Sequence, residues 1–150
     1  TSLRNFMTVK SIMEATDPQI NTSIALNFDT WDAAKFGWLV AQRKAWKTRP
    51  DFRAYAEANE KSVSGMLDGP VFEQLDALHL PVLVLYGKGD KMIPNRFFNP
   101  ALTTADIAAR AQNALHGAQM ELVEKAGHLL PLEQPEQFNR LLQSWLKSVR

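Results

Sequence analysis

An aspartate and a histidine are the residues of this chain best suited to acid–base chemistry. Asp90 closes the run Tyr86-Gly87-Lys88-Gly89-Asp90, and His128 stands in Ala126-Gly127-His128-Leu129-Leu130-Pro131. A carboxylate that holds one imidazole nitrogen leaves the other free to act as a general base. Each residue alone also has a plainer reading. Asp often caps a loop turn, and a His behind a Gly in an apolar loop can be a buried, hydrogen-bonded core residue. Position links the two, because each follows a strand-like segment and so can sit at the same edge of one sheet.

The segments that must carry them alternate in character. Val82 to Tyr86 is a continuous apolar run of β-forming residues, as expected of a strand buried on both faces of a parallel sheet. In such sheets ligands bind outside the carboxyl ends of the strands, which is where Asp90 falls. Thr103 to Leu115 reads as a helix opened by a capping-box pattern, Thr103-x-x-Asp106. Gln119 to Val123 is a second short strand. Pro135 opens a helix with Phe138, Leu141, Leu142, Trp145 and Leu146 on one stripe, and Phe72, Leu75 and Leu78 suggest a short helix before the first strand. Strand, helix, strand, helix implies an α/β fold with a parallel sheet. Two parallel strands leave edges and faces without neighbours, so the sheet is expected to be completed from outside this chain.

The first part has a different character, and we place the boundary at residue 70, giving segments 1–70 and 71–150. Thr1 to Thr16 reads as a short helix stopped by Asp17-Pro18. From Thr30 to Lys47, Ala34, Trp38, Ala41 and Ala45 recur at helical spacing, flanked by Trp31 and Trp46. A further helix opens at Pro50 and aligns Phe52, Tyr55, Asn59, Val63 and Met66 before Asp68-Gly69-Pro70 stops it. This part holds Trp31, Trp38 and Trp46, all but one of the chain's four tryptophans.

Composition excludes several classes of function. The chain has 150 residues, 45% of them apolar and 22% charged, with a net charge of +1. Such a balance is not built to attract nucleic acid or an anionic membrane. The basic run of Arg43, Lys44, Lys47 and Arg49 reads as a solvated helix end. No stretch approaches the roughly 20 apolar residues of a membrane span. With no cysteine, disulfides, Cys-ligated zinc and a Cys nucleophile are ruled out. His79, His116 and His128 show no metal-ligand spacing, so no metal is expected. The lack of cysteine and of a leader in this segment fits a cytoplasmic setting.

Three stretches together resemble the closing segment of the α/β-hydrolases: Leu80-Pro81-Val82-Leu83-Val84-Leu85-Tyr86-Gly87-Lys88-Gly89-Asp90, Glu124-Lys125-Ala126-Gly127-His128, and Leu132-Glu133-Gln134-Pro135-Glu136-Gln137-Phe138. The resemblance covers about residues 71 to 148. It implies that one strand delivers the acid of a catalytic triad, Asp90, and the next its base, His128. It also implies that residues 1–70 are similar to the helical cap, or lid, that many members insert before the last strands. The chain departs from the family pattern in two ways. A loop from Asn95 to Thr103, stiffened by Pro94 and Pro100, lengthens the separation of Asp90 and His128. No G-x-S-x-G elbow is present either. Ser62-Val63-Ser64-Gly65 comes nearest in letters, but it lies in a helical pattern without a preceding strand. Thr1, with its own amine as base, would be an alternative nucleophile, although a trimmed loop gives the same start.

The resemblance therefore implies a triad whose nucleophile and oxyanion donors lie on an N-terminal half, present as a separate chain or missing segment, and a chain inert by itself. The implied reaction is hydrolysis of an apolar or aromatic carboxylic ester, with no cofactor. An epoxide hydrolase or dehalogenase with an upstream Asp nucleophile is the first alternative. The second is a non-catalytic binding protein of the same fold. Trp31, Trp38, Tyr55 and Phe97 are candidate substrate contacts. Each has a packing reading beside it: the tryptophans bury the cap, Phe97 and Phe98 cover the core, and Tyr55 packs on the apolar face of its helix with its hydroxyl at the edge.

Overall fold

Helix boundaries follow the capping chemistry in the sequence, with one reversal. The computed structural model describes residues 3–95 and 97–149, so Thr1 lies outside the described residues. The first helices are α1 (Leu3–Phe6), α2 (Val9–Met13), α3 (Asp17–Ala25), α4 (Ala33–Lys47) and α5 (Phe52–Asp68). Asp17-Pro18 opens α3 instead of stopping the helix before it. An acidic residue and a proline are both favoured in a first turn, where the missing N–H costs nothing. The expected single helix from the N-terminus to Thr16 is in fact the two short helices α1 and α2. Asp32 caps α4 by accepting from the N–H groups of Ala34 and Lys35, so that helix starts at Ala33, later than the expected Thr30.

The remaining elements are a 3₁₀ helix (Phe72–Ala77), β1 (Leu83–Gly87), α6 (Thr104–Ala114), β2 (Gln119–Val123), α7 (Leu130–Glu133) and α8 (Pro135–Ser148). Thr103 and Asp106 form the expected reciprocal box at the start of α6. The chain divides into two compact units. One comprises the residues up to Ile24 together with Asp32–Pro70, and the other comprises Ala25–Trp31 together with the residues from Val71 onward. The segment Ala25–Trp31, which a boundary at residue 70 assigns to the first part, thus belongs to the second.

In the first unit, Phe52 and Ala56 on α5 and Ile20 on α3 are buried. The expected apolar face of α5 fades toward its end, where Met66 is 59% exposed. In the second unit β1 and β2 pair in parallel, with Leu83 opposite Gln119 and Gly87 opposite Val123. A small core of Val123, Ala126 and Leu130 lies beneath them, packed against Leu85 on β1 and Phe138 and Leu141 on α8. The β1 residues Leu83 to Tyr86 are only half-buried, not covered on both faces as their composition leads one to expect. Leu80, Leu122 and Leu146 are exposed. The physical reason is that a two-stranded sheet offers too little surface to cover its own apolar residues.

Candidate active site

The register of the two strands decides where the chemistry goes. Because Gly87 faces Val123, the loops that follow leave the sheet at the same end. The pairing continues past the strands: Lys88 N–H donates to Val123 O at 2.8 Å, and Gly89 N–H to Ala126 O at 2.9 Å. Such proximity demands glycine. A Cβ on Gly87 would lie 2.2 Å from Gly127 O and 2.4 Å from Ala126 O. Gly87 therefore lets the two loops touch through backbone.

Asp90 and His128 meet across these loops. His128 Nδ1 lies 2.9 Å from Asp90 Oδ2. The other oxygen, Oδ1, accepts the backbone N–H groups of Met92 at 2.7 Å and Ile93 at 3.0 Å. A carboxylate only accepts, so the ring nitrogen facing it carries the hydrogen. Asp90 is 2% exposed, whereas the His128 side chain is 38% exposed. Its Nε2 makes no hydrogen bond among the described residues, which leaves its lone pair without a partner there. Such a geometry can take and return a proton.

Supporting contacts come from residues that the sequence did not single out. Thr104, 4% exposed at the start of α6, places its hydroxyl 3.2 Å from Ile93 O and 3.4 Å from Asp90 O. Lys91 Nζ donates to Phe28 O at 3.0 Å and Asp29 O at 2.7 Å. Leu129 N–H donates to Asn27 O at 3.1 Å. Glu133 accepts from Asp29 N–H at 2.9 Å and from Gly127 N–H at 2.6 Å. The signal for Thr104 was at best its place beside a capping box. Asn27 to Asp29 act through main-chain groups, which leave no mark on residue type.

The candidate substrate contacts are shared between the two units. Trp31 belongs to the second unit, half-buried, and meets Phe28 edge-on with centroids 5.2 Å apart. Phe97, also in the second unit, is 71% exposed and set against Phe98 at 5.1 Å. Trp38 and Tyr55 lie in the first unit. Trp38 is 53% exposed. Tyr55 stacks on Phe52 at 5.5 Å, meets Trp46 at 6.0 Å and lies under Arg43 at 5.1 Å. Trp46, Arg49, Asp51, Phe52 and Tyr55 line a shallow cavity of about 260 Å³ there. No cluster of three or more acidic or histidine side chains able to hold a metal occurs among the described residues. Nor is any helix among them long and apolar enough to cross a membrane.

Two parallel strands with a helix between them and a closing amphipathic helix make up this end of the chain. The chain has the fold of the C-terminal part of an α/β-hydrolase. It superposes on an esterase from Exiguobacterium antarcticum with a TM-score of 0.64, at 14% identity over 96% of this chain and 47% of that one. A serine hydrolase involved in carbazole degradation gives a TM-score of 0.63 at 20% identity, covering 90% of this chain and 48% of the other. A membrane phospholipase A described as a bacterial virulence factor gives 0.60 at 19% identity, with 90% and 39% covered. In sequence, the chain is 34% identical over 74 residues to carboxylesterase YbfK of Bacillus subtilis (strain 168), a match to 49% of this chain and 22% of that protein. No family model matches. The chain thus spans less than half the length of each of these proteins.

Proposed function

We propose that this chain supplies the acid and base of a carboxylic-ester hydrolase whose nucleophile lies on an N-terminal half. The observation that carries the reading is the 2.9 Å contact between buried Asp90 and the Nδ1 of His128, with Nε2 left open. The partial likeness to a carboxylesterase favours an ester over an epoxide or alkyl halide as substrate. Exposed rings at Trp38 and Phe97 favour an apolar or aromatic acyl or alcohol group. The half-buried β1 and exposed Leu122 fit a sheet extended by further strands.

The mechanism follows from the pair. Nε2 of His128 takes the proton of an upstream Ser hydroxyl as that oxygen attacks the ester carbonyl. Asp90 holds the Nδ1–H tautomer and stabilises the imidazolium as it forms. The imidazolium then gives its proton to the departing alkoxide, and the alcohol leaves. Water, deprotonated by the same Nε2, attacks the acyl-enzyme and releases the carboxylic acid and the Ser hydroxyl. Oxyanion donors come from the upstream half, as in the family. The first unit, the residues up to Ile24 with Asp32–Pro70, forms the cap under this reading.

The test is turnover of p-nitrophenyl acyl esters by the longer protein that contains this chain. His128→Ala is expected to lower kcat by on the order of 10⁶-fold with the fold intact, and a fluorophosphonate should label one upstream Ser. The 150-residue chain alone should show no turnover. An unlabelled protein that turns over epoxides or halides would move the nucleophile to an Asp. Ligand binding without turnover, unchanged in His128→Ala, would make the protein a binder.

A further inference from the structure

The residues on either side of His128 are tied to a segment far from it in sequence. Ala25–Trp31 forms a strap within the second unit. Asn27 O accepts from Leu129 N–H at 3.1 Å, on the far side of the histidine. On the near side, a Cβ on Gly127 would lie 2.5 Å from Asp29 N, 2.7 Å from Phe28 C and 2.8 Å from Asn27 O, so the strap's backbone rests directly on this glycine. The strap also reaches the other partner, because Lys91, next to Asp90, donates to the carbonyls of Phe28 and Asp29.

One carboxylate closes this arrangement. Glu133 Oε2 accepts from Gly127 N–H at 2.6 Å while Oε1 accepts from Asp29 N–H at 2.9 Å. The first of these has the short length of a charge-assisted hydrogen bond. Glu133 reaches both donors from the end of the one-turn helix α7, which starts just after Leu129. Backbone bonds therefore fix the position before His128 and the position after it. The His128 side chain itself has Asp90 as its hydrogen-bond partner among the described residues.

We propose that Glu133 is a positioning residue for His128. By bridging Gly127 to the strap it sets the ring so that Nδ1 faces Asp90 and Nε2 is left for the proton transfer. The inference rests on the ester-hydrolase reading for its kinetic consequence only, since the geometry it explains is independent of substrate. Glutamine at this position is the same size but has a single acceptor oxygen. It would turn an NH₂ toward one of the two N–H donors, leaving that bond broken.

The experiment uses the longer protein with ¹⁵N-labelled histidine and reads two quantities for Glu133→Gln. Thr103→Ala, a cap change at α6 that removes bonds to Asp106 and none to Asp90 or His128, serves as a control for plain loss of stability. A long-range ¹H–¹⁵N spectrum reports the tautomer of His128. The wild type and Thr103→Ala are expected to hold the Nδ1–H form, and Glu133→Gln to drift toward the Nε2–H form usual in free imidazole side chains. With p-nitrophenyl butyrate, kcat is expected to fall about 10- to 100-fold, as for a misplaced catalytic group, with KM changed less than kcat. Glu133→Asp, which keeps both acceptors, should fall between the two. An Nδ1–H tautomer and a kcat both unchanged in Glu133→Gln would overturn the proposal while leaving the esterase reading intact. A tautomer shift in a protein without ester turnover would sustain the positioning role and sink the esterase reading. Equal shifts in Thr103→Ala and Glu133→Gln would reduce Glu133 to a stabilising contact and overturn the proposal.

Discussion

The two units of this chain are held together by different means. In the first, the ion pairs of Arg4 with Asp68 and Lys44 with Asp17, each at 2.6 Å, and of Arg49 with Asp51 at 2.8 Å are exposed, beside half-buried bonds from Val9 N–H to Glu60 and from Lys47 to Ala15 O. Pairs in such settings contribute little, because water and salt screen them. In the second, the polar residues that matter are buried, with Asp90 at 2% and Thr104 at 4% exposure, and their bonds run to backbone N–H and C=O groups. Glycines show the same contrast. Gly65, inside α5, has nothing within 4 Å of a built Cβ, whereas Gly87 and Gly127 are pressed against other backbone at 2.2 and 2.5 Å. The lesson is that positional accuracy in this chain is carried by main chain against main chain, and that accuracy is concentrated around Asp90 and His128.

Breaking that accuracy should cost most. Asp90→Asn is expected to keep the fold but lower kcat of the longer protein by on the order of 10⁴-fold, because the amide can donate to Nδ1 and so permits the wrong tautomer. Ester turnover beside a circular dichroism spectrum checks it. A fall of less than tenfold would mean that the pair is structural.

The glycines test the contrast itself. Gly87→Ala and Gly127→Ala are each expected to destabilise the second unit by roughly 1–3 kcal/mol or more, through overpacking. Gly65→Ala should stabilise the first by about 1 kcal/mol, the helix-interior difference between the two residues. Urea titrations of the three variants measure all of this, and the same sign for all three would erase the distinction drawn here.

A cap should fall between these extremes. Thr103→Ala is expected to cost about 1 kcal/mol, a typical value for a lost N-cap. The Asp106 carboxyl is held below its usual range first by the Thr103 side chain and then by the Thr103 backbone. A depressed folded value means that its contribution to stability is present above the ordinary carboxylate range and is lost as pH falls through the lowered value. In Thr103→Ala the Asp106 titration, followed by carboxyl ¹³C shifts, should move back up.

The smallest effect is expected at the first unit's surface. Arg4→Ala removes the 2.6 Å pair with Asp68 and should leave the melting temperature unchanged within error at physiological salt. A drop of several degrees would show that this unit also depends on particular polar contacts.

Much of this was legible from side-chain pattern alone. The apolar run around Leu83 to Tyr86, the Thr103–Asp106 box and the stripe of α8 each place an element, since period and capping are written in residue type. That Asp90 and His128 could meet was legible too, because two loops that follow parallel strands leave at one end, but whether they touch was not. Asp17-Pro18 misled because the same dipeptide can stop one helix or start another, and only the next turn decides. The strap was illegible. Asn27, Phe28 and Asp29 contribute C=O and N–H groups that every residue has, so no letter announces that they brace the histidine loop. Glu133 fell within a recognisable stretch, but its two acceptor bonds are set by tertiary approach and not by spacing.

The strap also changes what counts as a separable piece. The polypeptide leaves the first unit after Ile24, spends Ala25–Trp31 in the second, goes back at Asp32 and crosses for the last time after Pro70. Grafting or deleting everything up to residue 70 would therefore carry off the carbonyls that receive Lys91 and Leu129 and the N–H that receives Glu133. The first unit is therefore portable only as its two pieces together, the residues up to Ile24 and Asp32–Pro70, since Arg4 pairs with Asp68 and Lys44 with Asp17. Exchange of both pieces between relatives, by recombination or by design, can alter the first unit while the strap stays with the histidine it braces.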